Sequence, residues 1–376
     1  MSNQDFVRSL PRHAPLGARA RLRQIHLDPL MLVALLCVIG LGLMVLYSAV
    51  DRNMALFGNQ VTRMCMALVA MLIAAQLHPR FYLRWTPVFY VGGLIMLVLV
   101  LVIGESAKGS QRWLDLPGLP RFQPSEIMKV AVPMMVAWYF HDRPLPPRFK
   151  DLCVALLIIG APMGCIVVQP DLGTSILVGC AGLAVVVLAG MYWKWAGTAF
   201  LAFALAAPGL WYLLQDYQRQ RILTLFDPDS DPLGAGWNII QSTTAIGSGG
   251  VYGKGLLEGT QSHLDFLPES HTDFIIAVIG EELGLVGMLT VLGLYLVLVI
   301  RGLYIATQAA HTFERLVAGS LILTFFVYVF VNIGMVCGLL PVVGVPLPLI
   351  SYGGTAAITL MLSFGIVMGV RTHRGW

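Results

Sequence analysis

The sequence predicts an all-α polytopic membrane protein of about ten transmembrane helices, with one long extracytoplasmic loop between the seventh and eighth. Three observations carry that reading. Of the 376 residues 57% are apolar and only 12% charged, far from the average of soluble domains. The apolar residues fall in runs of membrane-crossing length. Lys and Arg are distributed by loop, so the net charge of +4 encodes orientation and not nucleic-acid binding.

The first run, 29–49, opens on Asp28-Pro29, an acidic N-cap followed by proline at the first helical position. It follows a basic tail of 28 residues and lacks a small-residue cleavage site, so it reads as a retained helix and not a signal peptide. Runs at 61–77 and 87–104 come next. The fourth, 127–140, is shorter than the ~20 residues a crossing needs. Its first turn must therefore include Ser125 and Glu126, which puts charge at the membrane boundary. Runs at 152–168, 172–192 and 195–214 precede the long loop, and 274–300, 316–340 and 347–370 follow it. The domain organisation expected is a cytoplasmic tail, 1–28, and a single transmembrane domain, 29–376, with 215–273 as its large loop. With the N-terminus inside, inner segments hold Arg8, Arg12, Arg19, Arg21, Arg23, Arg80, Arg84, Arg143, Arg148, Lys150, Lys194, Arg301, Arg315, Arg371 and Arg374, fifteen of the 24 basic residues. That excess predicts that both termini are cytoplasmic. All six cysteines lie in apolar runs without a CxxC pair, which supports neither a zinc site nor a disulfide framework.

Two segments break the pattern of short connections, 105–123 and 215–273, and both fall on the outer face. The second carries eight acidic residues against three basic ones, and a loop of that length is more often functional than idle. Residues 237–246 predict a short interfacial helix, and Gly247, Gly249, Gly250, Gly253 and Gly255 mark tight turns. The run GSGGVYGKG matches neither GxGxxG nor GxxxxGK[ST] and follows no strand, so a nucleotide loop is not supported. Its glycines would instead let the loop lie close against a lipid diphosphate.

Glu126 and Lys129 stand at i, i+3 and share a helix face. They form either a local ion pair or part of a cavity suited to sugar and phosphate, to which Arg112, Arg121 and Gln123 of the preceding loop would contribute. Asp273 stands where the long loop meets the eighth span, in LPESHTDFIIAVIGEELG. A carboxylate at the mouth of an apolar helix suits a general base, and it equally suits an N-cap. Glu281 and Glu282 are placed about 12 to 14 Å further along at the α-helical rise, where at least one needs structural hydrogen bonds.

The stretch NIGMVCGLLPVVGVPLPLISYGGTA, with RWLDLPG, RFQPSEIMK, QPDLGTS and LPESHTDFIIAVIGEELG, resembles the SEDS family (shape, elongation, division and sporulation) from Asp28 to the end of the chain. The loop block DYQRQRILTLFDPDSDPLGAGWNIIQS places the resemblance with the elongation branch rather than the division branch. Small departures occur at Ser270, before the His, and at Ile276. The resemblance implies a peptidoglycan glycosyltransferase of a bacterial inner membrane that polymerises lipid II and works with a class B penicillin-binding transpeptidase and other elongation-complex proteins. It makes Asp273 the essential acid and puts Glu126 and Lys129 in a QPSExxK motif. Glu269 and His271 flank Asp273 as substrate-binding candidates. The expected reaction is inverting sugar transfer on the periplasmic face, with Asp273 as base and Lys129, Arg112, Arg219 or a divalent cation such as Mg2+ or Mn2+ balancing the diphosphate. No metal-ligand set is assigned. A lipid II flippase and a non-catalytic scaffold for a transpeptidase are the alternatives.

The distribution of positive charge makes a test of topology. Single cysteines at Ser110 and Ser230 in a cysteine-free background should react with an impermeant thiol reagent in spheroplasts, whereas one at Thr372 should not. Reaction at Thr372 would reverse the orientation.

Overall fold

The computed structural model describes residues 26–107, 110–114, 122–231, 234–263 and 269–372. The tail through residue 25, Arg121 and Arg374 lie outside them. The elements, in order, are α1 (Pro29–Ala49), α2 (Met54–Gln76), α3 (Pro79–Ile103), β1 (Glu105–Ala107), β2 (Ser110–Trp113), α4 (Pro124–Phe140), α5 (Phe149–Val168), α6 (Leu172–Leu188), α7 (Trp193–Leu213), α8 (Asp216–Phe226), α9 (Ala235–Ser248), α10 (Thr260–His263), α11 (Ile275–Thr307), α12 (Thr312–Val336) and α13 (Thr355–Thr372). Each of the ten expected runs overlaps a helix, though 337–340 and 347–354 lie outside one. Among the described residues seven of these, α1, α2, α3, α5, α11, α12 and α13, are long and apolar enough to cross a membrane.

Local chemistry sets the boundaries, and several differ from expectation. Asp28 caps α1 by accepting from Met31 N at 3.0 Å, as its sequence predicts. Asn53 accepts from the amides of Ala55 and Leu56, so α2 starts seven residues before the apolar run does. His78 and Pro79 start α3, and Pro87, expected at its head, lies inside it. Pro133 and Pro162 likewise lie inside α4 and α5, and the Ile158 carbonyl that Pro162 frees accepts from Tyr90 Oη of α3 at 2.7 Å. Helix α4 is buried along nearly its whole length and packs against α3, α5, α6, α12 and α13. A helix of 17 residues carrying Glu126 and Lys129 is accommodated because it faces protein, not lipid.

The most extensive packing joins α13 to α2. Gly365 and Gly369 of α13 sit over the carbonyls of Met71 and Ala75, where a side chain at Gly365 would be driven into backbone. This small-xxx-small spacing is a membrane packing device. At the opposite end from the long loop, the fully buried Asp28 accepts from Arg301 Nε and Nη2 at 3.1 and 3.0 Å and also pairs with Arg371. One carboxylate thus ties α1, α11 and α13 together.

Two segments that the sequence left as loop or helix enter the bundle as irregular backbone. The first is the glycine run. Helix α11 breaks at Gly284 (φ 63°, ψ −159°), which frees backbone groups on either side. The amides of Lys254 and Gly255 donate to the carbonyls of Glu281 and Glu282, and the amides of Leu285 and Val286 donate to the carbonyls of Gly250 and Val251, all at 3.0 to 3.1 Å. Gly253 (φ +80°) leaves no room for a Cβ against the Glu282 carbonyl. Gly249 and Gly253 thereby take a role the sequence did not signal, close approach to the broken helix. Both carboxylates there are partnered. Glu281 Oε1 accepts from Lys254 Nζ, Thr260 N and Gln261 N at 2.7 to 2.9 Å. Glu282 Oε1 accepts from Ser48 Oγ at 2.5 Å, one residue short of the end of α1.

The second segment is 337–354. Its latter part, expected as the first two turns of the last helix, is not helical, because Pro346, Pro348 and the left-handed Leu349 (φ 63°) prevent it. It descends until Ile350 Cα lies 2.9 Å from where a Cβ of Gly42 would stand. Gly42 is about 10 Å below the Ala49 end of α1 at the α-helical rise.

Gly253→Ala should lower stability by more than about 1 kcal/mol, read as a lower melting temperature of the purified protein in detergent. Gly247→Ala, which meets nothing within 4 Å, should not. Equal melting of the two variants would contradict this packing.

Candidate functional site

The descending segment has no regular partner, so its polar groups define what surrounds it. The carbonyl of Val345 accepts from Asn332 Nδ2 at 2.8 Å, that of Pro348 from Tyr295 Oη at 2.7 Å, and that of Ser351 from Gln60 Nε2 at 3.2 Å. The amide of Leu347 donates to Ser351 Oγ at 2.8 Å, and that of Gly353 to Gln60 Oε1 at 3.3 Å. The amide of Tyr352 donates to the carbonyl of His271 at 2.8 Å. Helices α2, α11 and α12 therefore hold the segment, together with the turn that carries Asp273.

That turn is built around Glu269. Its backbone is left-handed (φ 59°), its carbonyl accepts from Thr272 N at 3.0 Å and its carboxylate accepts from Thr272 Oγ1 at 2.7 Å. The N-cap of α11 is Phe274, whose side chain makes no capping hydrogen bond. Asp273 stands one residue before that N-cap, in the turn that leads into the helix. Its carbonyl accepts from the second hydrogen of Asn332 Nδ2 at 2.8 Å, so one buried amide grips both the turn and Val345. Its carboxylate lies over Gly344 (φ +72°), with Oδ2 3.5 Å from where a Cβ would stand. His271 meets the ring of Tyr352 edge-on at 5.9 Å between centroids.

On the other side of Val343 lies a second cluster. Gly173, in the first turn of α6, leaves space for the carbonyl of Val343. Asp171 caps that helix by accepting from Thr174 N at 3.1 Å, and also accepts from Gln123 Nε2 at 3.0 Å. Arg112 donates to the carbonyl of Pro170 at 2.6 Å and approaches Asp171 at 3.7 Å. Arg112 and Gln123, expected as substrate ligands, are brought together as anticipated, but around Asp171, which sequence reasoning did not single out. The QPDLG run that carries Asp171 was the available signal.

Glu126 and Lys129 form an ion pair of 2.6 Å, 7% and 5% exposed, with the ammonium 4.9 Å from the centre of the Tyr328 ring. They line a small cavity with Thr324, Tyr328, Thr359 and Ser363. Tyr328 also lines the space beneath Pro346, Pro348 and Ser351, so it stands between the pair and the descending segment. Glu126 Oε2 and Tyr328 Oη are buried and accept or donate no hydrogen bond among the described residues. Arg219 is placed elsewhere, donating to the carbonyls of Trp211 and Tyr212 at the end of α7 at 3.0 and 2.8 Å. Among the described residues no group of three His, Cys, Asp or Glu side chains gathers to hold a metal ion.

Residues 22–375 match the family of FtsW, RodA and SpoVE, described as cell cycle proteins. The chain is 54% identical over 352 residues to the peptidoglycan glycosyltransferase MrdB of Escherichia coli K12, covering 93% of this chain and 95% of that one. It is 34% identical over 358 residues to a probable peptidoglycan glycosyltransferase FtsW of Geobacter metallireducens, covering 92% and 93%. Among solved structures it is similar to a chain from a study of the coordination of polymerization and crosslinking by a peptidoglycan synthase complex, with TM-score 0.81, 30% identity and coverage of 93% and 98%. It is also similar to the crystal structure of the rod shape determining protein RodA of Thermus thermophilus, with TM-score 0.70, 27% identity and coverage of 93% and 97%.

The buried pair makes a stability prediction. Lys129→Met strands a carboxylate in the bundle and should cost about 3 to 5 kcal/mol. Adding Glu126→Gln should return most of it, read as melting temperature. A double variant no more stable than Lys129→Met would contradict the pairing.

Proposed function

This chain belongs to the FtsW, RodA and SpoVE family, the SEDS proteins, and we propose that it polymerises lipid II with Asp273 as the general base. It is a peptidoglycan glycosyltransferase of the RodA kind and a multi-pass membrane protein. The finer reading is a chain of ten spans in the inner membrane, both termini cytoplasmic and Asp273 toward the periplasm, acting in elongation with a class B transpeptidase and other membrane proteins of that machinery. The excess of Lys and Arg in the segments opposite the long loop supports that orientation.

The observation that carries the mechanism is that Asn332 holds the backbone of Asp273 while its carboxylate stands over Gly344, at the mouth of α11. Asn332 fixes the carbonyl, and Gly344, whose backbone is left-handed (φ +72°), turns the segment there. A carboxylate so placed takes the proton from the acceptor sugar's 4-hydroxyl as that oxygen bonds to C1 of the donor's MurNAc. The bond from C1 to the diphosphate oxygen breaks, and its electron pair leaves with undecaprenyl diphosphate. Attack opposite the leaving group inverts the anomeric centre. Glu269 shapes the turn, and His271 joins it to Tyr352. Arg112 and Gln123 brace the loop at Asp171, and the Glu126–Lys129 pair supports Tyr328 beneath the segment.

Asp273→Asn keeps the backbone carbonyl that Asn332 grips, so expression and melting temperature should stay near wild type. Glycan synthesis from lipid II by the purified protein should fall by ~10² to 10⁴, the usual contribution of a general base. Asp273→Glu should lose on the order of 100-fold, since a misplacement of about 1 Å suffices. Near wild-type synthesis by Asp273→Asn would remove it as the base and turn attention to Glu269 or Glu126.

A further inference from the structure

The leaving diphosphate needs cations, and the cations expected to serve are engaged within the chain. Lys129 is closed on Glu126, Arg112 on Pro170 and Asp171, and Arg219 on the end of α7. Lys254, in the glycine run, is closed on Glu281. Arg63 of α2 differs from all of them. Its guanidinium carbon stands 4.7 Å from the centre of the Tyr352 ring. Its Cδ and Nε run past Gly354, 3.1 and 3.3 Å from where a Cβ would be, so the bare glycine provides the slot in which the side chain lies. No carboxylate or carbonyl among the described residues accepts from it. Tyr352 is in turn bonded through its amide to His271 and packed on the His271 ring, two residues from Asp273.

A half-buried guanidinium on a spanning helix is costly without a countercharge, and such residues mark places where a charged ligand comes. The ring face satisfies the π-system of the cation and leaves the in-plane N–H fork open. That fork fits two oxygens of a phosphate. Resting on the assignment of Asp273 to the reacting centre, we propose that Arg63, held on Tyr352, binds the prenyl diphosphate of the substrate and of the departing carrier. The bulk phospholipid phosphate presents the same chemistry, and the test separates the two.

Binding is measured with the full-length protein carrying Asp273→Asn, so that the result does not depend on whether Asp273 is the base. The probe is undecaprenyl diphosphate, with undecaprenol as the uncharged control and phosphatidylglycerol as competitor. Arg63→Gln should weaken binding of the diphosphate by roughly 10- to 100-fold, the range of one charge-assisted bidentate contact, and leave undecaprenol binding unchanged. Arg63→Lys, which keeps charge without the fork, should fall between, and Tyr352→Leu should resemble Arg63→Gln. Adding phosphatidylglycerol in equimolar amount should not displace the diphosphate. Unchanged diphosphate binding in Arg63→Gln, an equal loss for undecaprenol, or equal competition by phosphatidylglycerol would each overturn the proposal.

Discussion

In a membrane every buried backbone N–H and C=O must find a partner within the protein, and that requirement organises this molecule. Helices satisfy it internally. Among the described residues the chain departs from helix inside the bundle at two places, and at each the surrounding elements supply hydrogen-bond partners. The glycine run supplies the donors and acceptors that the break at Gly284 leaves open. The 337–354 segment receives its partners from Gln60, Tyr295, Asn332 and the His271 carbonyl. The second set includes the turn that bears Asp273, so the solution to a packing problem also positions the reacting group.

The placement of charge follows the same logic. At the end of the bundle away from the long loop, Asp28 fastens three helices through Arg301 and Arg371. In the middle, Glu126 and Lys129 are enclosed by protein on a short helix that does not touch lipid along most of its surface. Toward Asp273 the cations bind backbone carbonyls or Asp171, with Arg63 left on its aromatic platform. The result is a rigid frame for a substrate that brings its own negative charge, and rigidity of this kind is what catalysis by orientation requires.

Much of this was legible in the sequence. Apolar runs located the helices, Asp28-Pro29 marked a true N-cap, and the i, i+3 spacing of Glu126 and Lys129 foretold their contact. The 237–246 helix is present as Ala235–Ser248. Hydropathy failed where apolar residues are buried without being helical. LPLI in 347–350 extended the last span because burial, not conformation, is what the pattern reports. The strands β1 and β2, with Glu105 opposite Trp113, and helix α8 were too short and polar to signal themselves. Asp171 and Arg63 were passed over because their roles depend on residues more than forty positions away, on Gln123 for one and Tyr352 for the other. The Gly365-xxx-Gly369 spacing was available in the sequence as a packing signal.

The central claim is that Asn332 couples the Asp273 turn to the descending segment, and amide hydrogen exchange in Asn332→Ala tests it most directly. Removing the side chain deletes two bonds worth about 1 kcal/mol each. Exchange in 270–274 and in 344–352, including the Tyr352 amide bonded to His271, should accelerate together by roughly 10- to 100-fold, while α5 keeps its protection. Unchanged protection at Tyr352, or acceleration in only one of the two segments, would contradict the coupling.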